Sequence, residues 1–575
     1  MNTKVVNPSL YDAVAEKSNL VRIPGSDRYK IEIPTHANIA QDTIARYATG
    51  STANNVALIY EDSDQVLTSY TFADINSKAN SFAVALRDLG VKPGEPVAVQ
   101  TGQTPETAIA HMAIYKLGAI VLTLSQLYGH DTIDHVLSDS GARILITERS
   151  TWDALAHAHD RFKSLKHLII RGAEIAEGEI GFNSCLEKDA TDFVATQTHA
   201  DDPALLMYTS GSTGMPKGML HAHRILHAYL PTVTMFYNLE LDLEDTVFWS
   251  PADWAWVGGL LDLVLPAWML GQTVIATQHR FEHEWAFEFM SRHKVTHSFM
   301  TPTALKRLAE VSDPRSKWDL DVRVICTGGE SLPGDVLRWV DRELGIICNE
   351  FYGLTEFNHL VGNCKALYPT VAGSMGRAYP GRRVVIIDSD GVEQDDDVVG
   401  EIASWAPDDP SLFLGYWGHP GVPERMRMGD WLKTGDLAKR DSQGYFWYQG
   451  RNDDLIKSAG YRIGPNEVED ALIKHEQVAE AAVIGKPDPG RGSIVKAFVR
   501  LMPDVDTNED LIRDLQQFVK TNLAAYKYPR EIEFVDSFPL TSSGKIRRGE
   551  LRRREIEKSE QQPSDDSASQ NRGSV

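Results

Sequence analysis

Tyr208-Thr-Ser-Gly-Ser-Thr-Gly-Met-Pro-Lys217-Gly218 follows the β-rich run Ala204–Tyr208, and its reading decides the fold. Hydroxyls and glycines alternate through Thr209, Ser210, Gly211, Ser212, Thr213 and Gly214, giving a loop rich in donors. Glycines let backbone N–H groups approach phosphate oxygens, and Lys217 adds a point charge. The loop is not a Walker A loop, because no Gly-Lys-Ser/Thr follows at the required spacing. A Ser/Gly stretch alone is a common surface loop. A strand before it and Pro-Lys-Gly after it point instead to a phosphate-holding turn.

Outward from this loop, Tyr70 to about Glu356 alternates short β-rich runs with helical patterns such as Pro105–Leu117. That alternation predicts parallel sheets with helices on their faces. From Arg382 to Gln449, short β runs separated by Asp/Gly turns predict a compact antiparallel unit. A last segment reads helix, strand, strand, helix, strand. The expected fold class is α/β, with a large N-terminal domain over 1–452 that includes the β unit. A small, mobile C-terminal α/β domain follows over 453–558. The Ser/Asp/Gln/Asn-rich end, 559–575, reads as a disordered tail.

Composition limits the function. The chain has 575 residues, 42% hydrophobic and 24% charged, as ordinary globular proteins do. Its formal net charge of −22 argues against duplex nucleic acid as the main partner. The most apolar run, Gly258–Gly271, contains Asp262 and Pro266 and falls short of the roughly 20 residues a membrane span needs. Met1–Lys30 has no apolar block of the kind a signal peptide carries, and the four cysteines lack paired spacing. No membrane span, no disulfide framework and a cytoplasmic location are expected.

Four further clusters carry chemistry. Asn349-Glu-Phe-Tyr-Gly-Leu-Thr-Glu356 follows the strand-like Gly345–Cys348; its aromatic can stack on a base, and Thr355 and Glu356 offer oxygens to a hard cation. Thr327-Gly-Gly-Glu-Ser331 ends another strand, where open α/β sheets bind ligands. Lys433-Thr-Gly-Asp436 with Gly450-Arg451-Asn-Asp453-Asp454 sets a carboxylate and a guanidinium where a ribose or phosphate could be held. Ser458-Ala-Gly-Tyr-Arg462-Ile-Gly-Pro-Asn-Glu467-Val-Glu and Pro539-Leu-Thr-Ser-Ser-Gly-Lys545-Ile-Arg-Arg complete the set. Each alone reads equally well as a turn, a solvated face or a surface loop.

In this order the clusters resemble the adenylate-forming superfamily of acyl-CoA synthetases, luciferases and nonribosomal adenylation domains, over about Tyr60 to Arg554. "SAGYRIGPNEVEDAL", "KPDPGRGSIVKAFV" and "YKYPREIEFVDSFPLTSSGKIRR" look most like the acetyl- and medium-chain acyl-CoA synthetase branch. The resemblance implies an acid–thiol ligase using ATP, CoA and Mg²⁺. A carboxylic acid and ATP would give acyl-AMP and pyrophosphate, and CoA would then displace AMP. Thr209–Lys217 would hold the β- and γ-phosphates, and Gly329, Glu330 and Ser331 with Glu350, Phe351, Tyr352, Gly353, Leu354 and Thr355 would form the adenine pocket. Glu356 would bind Mg²⁺, Asp436 and Arg451 the ribose, and Arg462 would assist at the nucleotide. Lys545 would bridge the α-phosphate and the acid, so Lys545, Thr355, Glu356 and Lys217 are the expected catalytic set. Asp453 would be a hinge between two poses. In the second, Ala459, Gly460 and Tyr461 would line the pantetheine tunnel, and Arg491, Tyr528, Pro529 and Arg530 would meet the CoA nucleotide.

The acid is read from departures. Acetate-restricted relatives place Trp where Gly353 stands, so a larger acid is expected: medium-chain, branched, cyclic or aromatic. Trp254, Trp256 and Val257 would wall the cavity, and Gly258 and Gly353 would leave room in it. Phe357-Asn358-His359 departs from the usual Thr or Gly after the Thr-Glu pair, and Ala459 replaces a common Ser. His221 and His223 read foremost as packing residues, with an acyl-site role as the alternative. Reversible acylation of Lys545 by an acetyltransferase and a deacetylase is a further expectation. Two other readings remain: an adenylation enzyme loading a carrier-protein thiol, which the short stretch after Lys545 disfavours, and a catalytically inactive nucleotide-binding regulator.

Overall fold

The computed structural model describes residues 8–209, 215–241, 244–458, 461–488, 490–503, 505–540 and 546–561. The chain divides into two units. The first comprises 1–397, 403–434 and 440–447; the second comprises 398–402, 435–439 and 448–575. The second unit thus starts a few residues before the expected boundary at 453 and draws in two short segments from earlier in the chain.

Two large sheets build the first unit. One runs, in spatial order, Gly415–Tyr416, Lys217–Ala222, Pro203–Thr209, Ile120–Thr123, Pro96–Gln100, Ile144–Glu148, His167–Arg171. Its members from Pro203–Thr209 onward are parallel, in register Leu122↔Ala98↔Leu145. The runs Ile-Val-Leu-Thr and Ile-Leu-Ile-Thr are apolar throughout because helices cover both faces of such a sheet. The second sheet orders Leu67–Thr71, Val56–Glu61, Thr273–Thr277, Val247–Trp249, His297–Phe299, Val324–Gly328 and Ile347–Leu354. It is parallel from Val56–Glu61 to Ile347–Leu354, then turns antiparallel through Asn358–Gly362 and Gly376–Ala378.

The antiparallel stretch expected from Arg382 to Gln449 extends this second sheet. Tyr445 and Phe446 pair with Arg377 and Gly376, so main-chain hydrogen bonding continues from one into the other. The strand Ile347–Leu354 also runs further than expected. The second cluster is therefore the C-terminal half of the strand, paired on both sides, and only Thr355 and Glu356 lie beyond it.

Helix Pro105–Lys116 opens with the Thr104 hydroxyl accepting from the Thr107 N–H and with Pro at its first position. It is buried almost all round. Helix Ile225–Phe236 contains Pro231, which has no N–H for the carbonyl of His227. The Asn19 side-chain amide donates to that carbonyl instead, at 2.9 Å.

In the second unit, Gly492–Leu501 pairs antiparallel with Val478–Asp488 and parallel with Glu531–Phe534. Helices Pro465–Ile473 and Glu509–Asn522 bury Val468, Leu472, Leu515 and Val519 with strand residues Val483 and Val499. Helix Arg548–Gln561 reaches into the expected tail, since 559–561 are helical; 562–575 lie outside the described residues. Arg548 makes a two-armed contact with the buried carboxylate of Glu469, which also accepts from the Val483 N–H. Among the described residues no helix is long and apolar enough to cross a membrane.

Candidate active site

The phosphate-loop candidate lies between two strands that pair antiparallel. Thr209 pairs with Lys217 and Tyr208 with Gly218; Ser210, Gly211, Ser212, Thr213 and Gly214 lie outside the described residues. Gly218 is a glycine because a Cβ there would sit 2.8 Å from the Tyr208 ring. That ring is fixed by its hydroxyl donating to Asp139 at 2.6 Å.

Lys217 is exposed, and its Nζ lies 5.7 Å from the centroid of the Tyr416 ring. The Tyr416 hydroxyl donates to Glu356 Oε1 at 2.9 Å. Burial, followed by the Glu356 charge, pushes the Tyr416 pKa well up, so the phenol stays protonated. Lys217 and Glu356, 139 positions apart along the chain, thus meet through a residue that sequence reasoning passed over. Its only sequence signal was a Gly-Tyr-Trp between two turn-rich runs.

A magnesium ion wants oxygen ligands and takes one or two carboxylates plus substrate phosphates. Glu356 fits: one oxygen is oriented by Tyr416. No cluster of three acidic, His or Cys side chains that could cage a metal occurs among the described residues.

The other strand-end residues divide by burial. Phe351 packs face to face on Phe236, centroids 4.6 Å apart. Glu350 is buried and accepts from the Leu332 N–H at 3.1 Å. Glu350 and Phe351 are buried, and Tyr352, Gly353, Leu354, Thr355 and Glu356 are half-buried. Gly329 has φ +88°, a left-handed turn at the end of Val324–Gly328. Beyond it Glu330 accepts from the Thr303 hydroxyl at 2.7 Å, and Ser331 is exposed.

The two glycines of the expected acyl cavity are closely approached by their neighbours. A Cβ on Gly258 would fall 2.3 Å from the Phe299 ring, and one on Gly353 would fall 2.2 Å from the Asn358 carbonyl oxygen. Both glycines are close-approach positions already filled by neighbours. Trp254 is a core residue, edge-on to Trp268. Trp256, edge-on to Tyr128, and Val257 are only half-buried. His221 and His223 are buried in packing, with His223 Nδ1 accepting from the Ile39 N–H at 3.1 Å.

Phe357-Asn358-His359 forms a buried polar knot. The Tyr229 hydroxyl donates to Asn358 at 2.9 Å; His359 lies 2.8 Å from Thr232 and 2.9 Å from Asp262. Burial raises the Asp262 pKa, against the opposing effect of His359.

In the second unit the ribose candidates do come together. The Tyr448 hydroxyl donates to Asp436 at 3.2 Å, and an Arg451 Nη lies 3.4 Å from where a Gly435 Cβ would be. Asp453 sits in the turn Asn452–Asp454, and Arg462 on the strand Tyr461–Ile463. Tyr461 is exposed and stacks on Tyr526, centroids 4.2 Å apart. Lys520 Nζ lies 4.0 Å from the Tyr528 ring centroid, and the Arg530 guanidinium 5.2 Å from it. Pro529 joins those two, and Arg491 is exposed beside the turn its backbone makes onto Asp488. Ala459, Gly460 and Lys545 lie outside the described residues.

Comparison with known proteins agrees with this geometry. The AMP-binding enzyme family matches residues 45–417, and the AMP-binding enzyme C-terminal domain matches 467–545. The uncharacterized acyl–CoA ligase YtcI of Bacillus subtilis is 35% identical over 518 residues, 90% of this chain and 95% of that protein. The acetyl-coenzyme A synthetase of the same organism is 34% identical, covering 89% of each chain. The crystal structure of the anthranilate CoA ligase AuaEII in complex with anthranoyl-AMP superimposes with a TM-score of 0.82 at 29% identity, over 92% of this chain and 99% of that one. With two α/β units, a lysine and a carboxylate joined at the sheet ends, and matches spanning both units, this chain belongs to the AMP-binding enzyme family, among its acyl-CoA ligases.

Proposed function

We propose that the protein is an ATP-dependent acyl-CoA synthetase that activates a carboxylic acid larger than acetate, with an apolar chain or ring. The observation that carries this reading is the joining of Lys217 and Glu356 through Tyr416, which sets a cation beside a carboxylate suited to a metal–phosphate complex. The half-buried Trp256 and Val257 favour an apolar acyl tail.

In the first step a carboxylate oxygen bonds to the α-phosphorus and the bond to pyrophosphate breaks. Lys217 neutralises phosphate charge, Asp436 and Arg451 hold the ribose, and Lys545 holds the α-phosphate and the carboxylate in line. Glu356 would hold Mg²⁺, which when bound would supply charge neutralisation on the leaving phosphates. In the second step the CoA sulfur bonds to the acyl carbon, its proton goes to solvent, and AMP departs. Tyr528 and Arg530 serve the nucleotide end of CoA, and Gly460 and Tyr461 the pantetheine.

A panel of acids graded by chain length and ring content, assayed for pyrophosphate release with and without CoA, tests the proposal. Pyrophosphate release with six-carbon or aromatic acids, and CoA-dependent AMP release, are expected. Activity restricted to acetate would refute the substrate class, and no activity with any acid would refute the reaction.

A further inference from the structure

We propose that Tyr416 is a positioning residue for nucleotide activation: its hydroxyl orients the Glu356 carboxylate toward the metal, and its ring seats Lys217. The inference rests on the adenylation reading above and extends it to a residue outside the expected catalytic set.

Tyr416 stands where the two sheets of the first unit are bracketed together. On one side, the Leu414 N–H donates to the Leu220 carbonyl at 2.7 Å and the Trp417 N–H to the Gly218 carbonyl at 2.8 Å, on the strand that starts at Lys217. On the other, the Phe413 N–H donates to the Glu356 carbonyl at 3.1 Å. The backbone around Tyr416 is therefore fixed to both motif-bearing strands before its side chain makes any contact. The ring packs edge-on against Phe413, centroids 5.3 Å apart.

The side chain then acts on two functional groups at once. Its hydroxyl holds Glu356 Oε1 at 2.9 Å, restraining rotation of a carboxylate that otherwise hangs beyond the end of its strand. A hydrogen bond to one oxygen of a ligating carboxylate fixes its orientation and leaves the other oxygen to the cation, as outer-shell partners do at metal sites. The ring face lies under Lys217 Nζ, which limits the range of a long, exposed side chain. The charged groups facing the phenol are Glu356, Lys217 and Arg425, whose Nη2 is 3.4 Å from the hydroxyl.

Tyr416→Phe separates positioning from packing, because it keeps the ring, the Lys217 seat and the strand pairing and removes only the donor. ATP binding is measured calorimetrically with and without Mg²⁺ on wild type, Tyr416→Phe and Glu356→Gln, together with pyrophosphate release. The Mg²⁺-dependent gain in ATP affinity should fall about 10-fold in Tyr416→Phe, the lower end for loss of an outer-shell partner, and vanish in Glu356→Gln. Affinity for ATP without metal should be unchanged, and kcat should fall with KM for the acid unaltered. Tyr416→Leu should in addition weaken metal-free ATP binding, because Lys217 loses its seat. Wild-type activity with an undiminished Mg²⁺ effect in Tyr416→Phe would overturn the role of Tyr416. A wild type that releases no pyrophosphate would sink the adenylation reading, while the calorimetric comparison would still decide the orienting role.

Discussion

His221 is fully buried, and neither of its ring nitrogens has a hydrogen-bond partner among the described residues. Burial, with a smaller contribution from Arg224, holds its pKa down to about 4, below the ordinary 6.5. The unfolded imidazole takes up a proton below 6.5, and the folded one does not until about 4. Stability contributed by this residue is therefore complete above pH 6.5 and is lost as the pH falls towards 4. At pH 5 the loss comes to about 2 kcal/mol. Replacing the ring by an apolar side chain leaves no partner orphaned, because none was present. His221→Leu should therefore match or exceed wild-type stability near neutral pH and fall less steeply on acidification. Urea unfolding followed by tryptophan fluorescence is the assay, since all 12 tryptophans lie in the first unit with His221. The stability difference between about pH 7.5 and pH 5 should shrink by about 2 kcal/mol. An unchanged difference would place the titration elsewhere. A loss of more than about 2 kcal/mol near neutrality would mean that the ring has a partner worth more than its burial costs.

Three other outcomes are expected. Lys545→Ala should depress acyl-AMP formation at least about 10²-fold, the scale of one lost transition-state donor, yet convert supplied acyl-AMP and CoA at a near-normal rate, whereas Gly460→Leu should do the reverse. Single-turnover measurements of each half-reaction decide it, and equal damage to both by both variants would refute the division of labour. Gly353→Ala should cost about 1–3 kcal/mol of first-unit stability, because backbone rather than a movable side chain occupies the Cβ position; wild-type urea unfolding would refute that. Arg548→Met leaves the buried Glu469 carboxylate without its cation and should cost about 3–5 kcal/mol. Faster hydrogen exchange in Val478–Leu501 with an unchanged tryptophan transition is the expected signature, and unchanged exchange would refute it.

The α/β class and the order of the motifs were legible because their signals are local. Apolar β-branched runs, Gly-rich turns and the short motifs around Lys217, Asp436 and Arg451 are each written within short windows. Three kinds of feature were not. The close approach of Phe299 to Gly258 and of the Asn358 carbonyl to Gly353 is not written in the sequence, which names no neighbour for a missing side chain. How the antiparallel unit after Arg382 joins the second sheet was not legible, because strand pairing is a long-range choice, made here between residues 376–377 and 445–446. Tyr416 was passed over because its meaning comes entirely from Lys217 and Glu356, which are remote in sequence and adjacent in space.

The family match begins at residue 45, which invites trimming the protein there. The proline inside helix Ile225–Phe236 argues against that cut. Asn19, well upstream of the match, is the surrogate donor that caps the His227 carbonyl, and Leu20 and Ile31 close over the bare face of Gly381. An enzyme shortened to the family boundary would expose a helix defect that the leading segment repairs, so these first strands are best regarded as a built-in splint rather than as packaging.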